Sequence, residues 1–230
     1  MNNNIITYDL LIWIGLLITI ISQILVSASY SRFKKKLNNK DITGFDAARK
    51  ILDKNDLKDV MILETKGNLT DHYDPKRKVI KLSTDIYHGS SIASAAVAAH
   101  ECGHAIQDKN KYIPMRIRSA IVPFVNICTR LGYLAILIGL IFNRAPLLEA
   151  GIILLLAMLV FQLITLPVEF NASKRALNEL EKEKILDKEE KGNARNMLVA
   201  AAFTYVASVL STLLQIFRLV LISSSSDRRH

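Results

Sequence analysis

The run FVNICTRLGYLAILIGLIF (124–142) is followed at once by NRAPLLE (143–149) and then AGIILLLAMLVFQLITL (150–166). The first stretch is broken only by Arg130, and the last carries no charge at all. A bilayer core takes about 20 residues of helix, so each stretch is close to the length of a span. The connection at 143–149 is too short for anything but a helical hairpin. The segments before Phe124 and after Leu166 must therefore lie on the same side of a membrane. Two further apolar runs, Leu10–Ala28 and Met197–Phe217, flank the hairpin at a distance. The expected fold class is a membrane α-helical bundle of about four transmembrane helices with a small α+β cytoplasmic domain.

Charge sets the orientation. Residues 1–9 contain no Lys or Arg, whereas Arg32, Lys34, Lys35 and Lys36 come directly after the first run. A cleaved signal peptide wants a basic start, so the Val26-Ser27-Ala28 sequence reads as part of an uncleaved anchor. The positive-inside rule puts the N-terminus outside and the segment after Tyr30 in the cytoplasm. Arg218, Arg228 and Arg229 fit poorly with an exit of the fourth run, which calls for a partial span or snorkelling into headgroups. Arg130 lies about 9 Å of helix rise inside its run and is expected to snorkel to the cytosolic interface. The net charge of +9 comes without the aromatic-basic interleaving of a nucleic-acid binder, so the expected partners are the lipid bilayer and a substrate, with no nucleic acid. Two cysteines, Cys102 and Cys128, make no disulfide framework and suit a reducing compartment.

The expected organisation is a transmembrane anchor at 1–30, a cytoplasmic α+β region at 31–116, the hairpin at 117–167, a cytoplasmic helical segment at 168–196, and a last transmembrane helix with its tail at 197–230. Within the α+β region, Phe45, Ala48, Ile51 and Leu52 recur at helical spacing behind Thr43 as N-cap. Asp59–Leu63 and Lys78–Leu82 read as strands flanking a polar loop with Gly67-Asn68 and Asp74-Pro75. A helix restarts near Ser90 or Ser91 and carries SIASAAVAAHECGHAIQ (91–107).

That helix holds the chemistry. His100 and His104 are four apart and so stack on one helical face, where both imidazoles can reach one zinc. Glu101, about 100° round the helix, is placed to touch a water at an open coordination position and to act as general base. With 5 His and 9 Glu in 230 residues, chance supplies such a pattern on the order of half a percent of the time. Ala95, Ala96, Val97, Ala98 and Ala99 make the preceding helix slender, and Gly103 costs about 1 kcal/mol in helix propensity, which points to close packing. Cys102 faces away from the histidines as a packing residue. For the third ligand His72, His88, His230 and any carboxylate are open. Glu169 stands out, because the hairpin returns it to the side from which the motif helix departs. A carboxylate at that depth is costly without a pair or a cation. The competing assignment for Glu169 is a salt bridge to Lys174 or Arg175.

LTDHYDP (69–75), KLS (81–83), SIASAAVAAHECGHAIQ (91–107), PVEFNASKRAL (167–177) and AAFTYVA (201–207) together resemble the bacterial membrane-bound neutral zinc metallopeptidases, the YugP-like family. The resemblance implies an integral-membrane zinc endopeptidase with one Zn2+ per chain, a glutamate third ligand, and peptides or membrane proteins as substrates. A more distant similarity to prenyl-protease and heat-shock-type membrane metalloproteases implies that Glu169-Phe170-Asn171-Ala172-Ser173 matches their E-F/Y-x-A-D stretch up to its last position. Ser173 stands where those enzymes have an aspartate that orients a zinc-binding histidine, and Asn171 is a candidate for that role here. His72 or Tyr73 is a candidate oxyanion donor or substrate contact, and Tyr205 a weaker site candidate. Val79–Leu82 is expected to be the sheet edge that pairs with an extended substrate. The competing class is a membrane protein with a structural zinc, or a peptide-binding pseudoprotease that does not cut.

Overall fold

The computed structural model describes the backbone of residues 3–227 and the side chains of 8–224. Arg228, Arg229 and His230 lie outside the described residues. Helices α1 (Asn3–Lys34), α5 (Ile113–Ile141), α6 (Ala145–Lys182) and α7 (Lys188–Asp227) dominate the chain. Each contains a stretch long and apolar enough to cross a membrane. Between α1 and α5 lie α2 (Gly44–Lys54), β1 (Met61–Thr65), β2 (His72–Asp74), β3 (Val79–Ser83), α3 (Thr84–His88) and α4 (Ile92–Lys109). The chain divides into two compact units, residues 1–23, 117–166 and 203–230 in one, and 24–116 with 167–202 in the other.

The first unit is built from the apolar parts of the long helices. Leu10, Trp13, Leu17, Phe124, Ile127 and Leu131 are exposed, an outward-facing apolar surface that a water-soluble domain avoids. Its interior is small, with Ile136, Leu148, Ile152, Leu155 and Leu219 buried together. The α5–α6 hairpin closes backbone to backbone. A Cβ on Gly151 would stand 2.8 Å from the Gly132 carbonyl oxygen, so α6 has no room for a side chain there, and a Cβ on Gly132 would meet the Gly151 carbonyl oxygen at a tight 3.2 Å. Arg218, which fitted poorly with a membrane exit, is not left to snorkel alone. Its guanidinium donates to Asp9 Oδ1 at 2.6 and 3.2 Å.

The second unit is a mixed α/β body, and local sequence explains its helix starts. Thr43 Oγ1 accepts from the Asp46 amide at 3.1 Å, and Ser91 Oγ accepts from the Ser94 amide at 3.0 Å, which satisfies orphan donors at the first turns of α2 and α4. Ala47, Ala48, Ile51 and Leu52 of α2 pack with Ala95, Ala98, Ala99 and Cys102 of α4 in one core. Ala176 and Leu180 of α6 and Ala194, Met197 and Leu198 of α7 complete it. Helix α4 is thus enclosed along most of its length, which its alanines make sterically possible.

The sheet has the order β1-β3-β2, with β1 parallel and β2 antiparallel to β3. This corrects the expectation for Val79–Leu82: β3 is the central strand, with ladder partners on both sides, and its backbone is not a free edge. The reason is β2, whose three residues pair His72 with Lys81 and Asp74 with Val79. The first strand begins later than Asp59 because residues 57–60 form a turn. The Val60 amide donates to the Leu57 carbonyl at 3.1 Å, and the Arg49 guanidinium holds the carbonyls of both residues.

Candidate metal centre

The site lies within the second unit, between α4 and the stretch of α6 beyond Pro167. Helical spacing puts His100 and His104 on one face of α4, their rings 4.8 Å apart and nearly perpendicular. Gly103, between them, decides how near α6 can come. A Cβ at this position would stand 2.5 Å from the Ala172 carbonyl oxygen and 3.1 Å from its carbon. Only glycine lets the two backbones touch here, and the contact carries Glu169 to the histidines. Glu169 Oε2 is 3.2 Å from His100 Nε2 and 3.6 Å from His104 Nε2. All three side chains offer ligand atoms within 4.8 Å of one another.

This donor set fits zinc. Two imidazole nitrogens and a carboxylate oxygen are typical zinc ligands at 2.0–2.2 Å, and ligands at tetrahedral angles about such an ion stand about 3.3 Å apart. The observed 3.2 and 3.6 Å bracket that value. Glu169 is almost completely buried, and a buried carboxylate is costly unless cations or N–H donors surround it. Among the described residues no fourth His, Cys, Asp or Glu joins the three, so these are the side chains that would hold the ion.

The far side of each imidazole is also engaged. Ser173 Oγ lies 3.2 Å from His100 Nδ1, so the serine standing where an aspartate was expected is itself the group on that histidine. Gln107 Oε1 lies 3.0 Å from His104 Nδ1. Asn171 touches neither ring. Its Oδ1 accepts from Gln107 Nε2 at 3.0 Å and from Arg175 Nε at 2.7 Å. Gln107 is the residue that sequence reasoning passed over. It sits three positions after His104, hence on the same helical face, and that spacing was a usable signal. Arg175, a possible salt-bridge partner for Glu169, instead serves Asn171.

Glu101 is buried beside the pair, close enough for its charge to act on His104. Burial pulls the His104 imidazole downward. The hydrogen bond to Glu169, the charges of Glu101 and Glu169 and the contact with Gln107 outweigh it, and the group ends above the ordinary histidine value. Cys102 points to the other side, its Sγ 3.6 Å from the Ala48 carbonyl, with burial pushing the thiol well above its usual value. His72 is exposed and makes its ring contact with the Thr70 carbonyl at 2.8 Å. The Tyr73 hydroxyl donates to Asp108 Oδ2 at 2.9 Å, and burial together with that bond raises its pKa. Neither belongs to the three-residue group. His88 pairs with Glu64 at 3.3 Å on an exposed surface.

Residues 8–224 match the family described as "Putative neutral zinc metallopeptidase". This chain belongs to that family. It is also 41% identical over 201 residues to the "Putative membrane protease YugP" of Bacillus subtilis (strain 168), an alignment covering 87% of this chain and 89% of that protein. No solved structure matches the chain. The matched region contains the whole His100, Glu101, His104 and Glu169 constellation.

Proposed function

We propose that this chain is an integral-membrane zinc endopeptidase, with one zinc held by His100, His104 and Glu169. The observation that carries the proposal is the convergence of these three side chains beside the buried Glu101. The family match and the membrane-protease name of the Bacillus subtilis relative support it.

A bound zinc would supply a Lewis acid and bring the pKa of a coordinated water down to about 7. The protein's own contribution is positional. Glu101 is on the helix that carries both histidines, one residue and about 100° round from His100, so its carboxylate can accept a proton from the attacking water and pass it to the departing amine. Water is consumed, the peptide C–N bond breaks, and an acid and an amine are released. Glu169 neutralises charge at the centre, while Ser173 and Gln107 hold the rings.

The four apolar helices are proposed to cross the bilayer, with the N-terminus outside and the metal centre on the cytoplasmic side. The cluster Arg32, Lys34, Lys35 and Lys36 after the first apolar run favours this orientation. Substrates on this reading are peptides or membrane proteins reached at the cytoplasmic surface. The decisive variant is Glu101→Gln in detergent-purified protein. Zinc content should stay at one per chain while cleavage of a casein-like substrate disappears. Unchanged cleavage would remove Glu101 from the reaction. Zinc without cleavage in the wild type would favour a structural site.

A further inference from the structure

We infer that Gln107, Asn171 and Arg175 form a positioning chain that fixes His104 in the tautomer carrying its proton on Nδ1. The purpose of the chain rests on the proposed zinc centre. Its geometry does not.

Gln107 is fully buried, and its amide has three partners. Nε2 lies 2.8 Å from the Val168 carbonyl oxygen and 3.0 Å from Asn171 Oδ1, while Oε1 lies 3.0 Å from His104 Nδ1. A backbone carbonyl only accepts, so the NH2 end of Gln107 must face Val168. A guanidinium only donates, and Arg175 Nε is 2.7 Å from the Asn171 side chain. Asn171 must therefore present its oxygen to Arg175, and that same oxygen meets Gln107. Both constraints turn the Gln107 carbonyl toward His104, where only an N–H satisfies it. With Nδ1 protonated, the neutral ring carries its lone pair on Nε2, the atom 3.6 Å from Glu169 Oε2.

His100 lacks such a device in its serine partner. A hydroxyl 3.2 Å from Nδ1 can rotate to donate or to accept, so Ser173 orients the ring without choosing its tautomer. Of the two imidazoles, His104 is the one whose lone pair is set in advance. The instruction starts at Arg175, which touches neither histidine. Groups behind a metal-bound histidine commonly change metal affinity 10–100-fold when removed.

The test reads tautomer and affinity separately. Long-range proton–nitrogen correlation on 15N-histidine-labelled, metal-free protein in detergent at pH 9.5 should show His104 with an Nδ1 proton, assigned by its loss in His104→Ala. Arg175→Ala should yield a mixture of tautomers and weaken zinc binding about tenfold in chelator competition. Arg175→Lys, which keeps a donor toward Asn171, should restore both. Gln107→Leu should cost more, up to about 100-fold. If that variant does not fold, the two Arg175 variants carry the test. An Nε2 proton on wild-type His104 would overturn the inference. So would an Arg175→Ala protein with a single Nδ1 tautomer and wild-type affinity. Failure of the wild type to bind zinc would defeat the functional reading instead, and the spectrum would still decide the tautomer.

Discussion

Gly103→Ala puts the α4–α6 contact to a quantitative test. The added Cβ would stand 2.5 Å from the Ala172 carbonyl oxygen, whereas real Cβ atoms essentially never come within 3.0 Å of another heavy atom. The obstacle is helix backbone, which cannot rotate aside as a side chain does. The helices must therefore part by at least about 0.5 Å, and bond lengths at a zinc centre tolerate only about 0.2 Å. Glu169 rides on the helix that moves, and its 3.2 and 3.6 Å separations from the histidines would open with it. The stability effect is smaller than the steric clash suggests. Overpacking costs about 1–3 kcal/mol, and alanine recovers about 1 kcal/mol of helix propensity over glycine. A folded protein with a modestly lowered melting temperature and zinc affinity reduced at least tenfold is expected. Thermal melts and competition against a fluorescent zinc chelator measure the two effects. Wild-type zinc affinity in Gly103→Ala would refute the argument that this glycine sets the position of Glu169.

Other consequences are tested independently. Because His104 lies above its ordinary value near 6.5 in the metal-free fold, its protonated form stabilises that fold fully below pH ~6.5, and the contribution is lost as pH rises through the raised value. Metal-free protein should thus melt higher at pH 6 than at pH 8.5, while zinc affinity, which requires the deprotonated ring, should rise over the same interval. Tyr73→Phe removes a hydroxyl that donates to Asp108. It should cost about 1 kcal/mol in stability and leave zinc affinity and cleavage within about twofold, whereas a 100-fold loss of cleavage would make Tyr73 an oxyanion donor. Arg218→Leu should destabilise the protein in detergent more in the wild type than in an Asp9→Asn background, because the two side chains pair at 2.6 Å. Equal losses in both backgrounds would show that the pair contributes nothing.

How much the sequence disclosed tracks how local each cause is. The caps at Thr43 and Ser91 depend on neighbours three residues away, and the long apolar helices depend on composition, so both could be read directly. The proximity of Glu169 to the histidines was reached by topology, since a short hairpin leaves few places for the chain to return. Strand order was not accessible, because β2 has only three residues and no periodicity, yet its pairing makes β3 central. Asn171 was placed beside a histidine by analogy with an aspartate. The register between α4 and α6 instead sends it to Gln107 and leaves Ser173 on His100. That register comes from the Gly103–Ala172 contact, a nonlocal event that no spacing along the chain encodes.

The most direct measurement is an anomalous difference map at the zinc absorption edge from crystals of the zinc-loaded protein. A single peak is expected, about 2.0–2.2 Å from Nε2 of His100, Nε2 of His104 and a carboxylate oxygen of Glu169, and it should be lost in Glu169→Ala. A zinc peak held by other residues, or a peak on the histidines that ignores the loss of Glu169, would contradict the proposed centre.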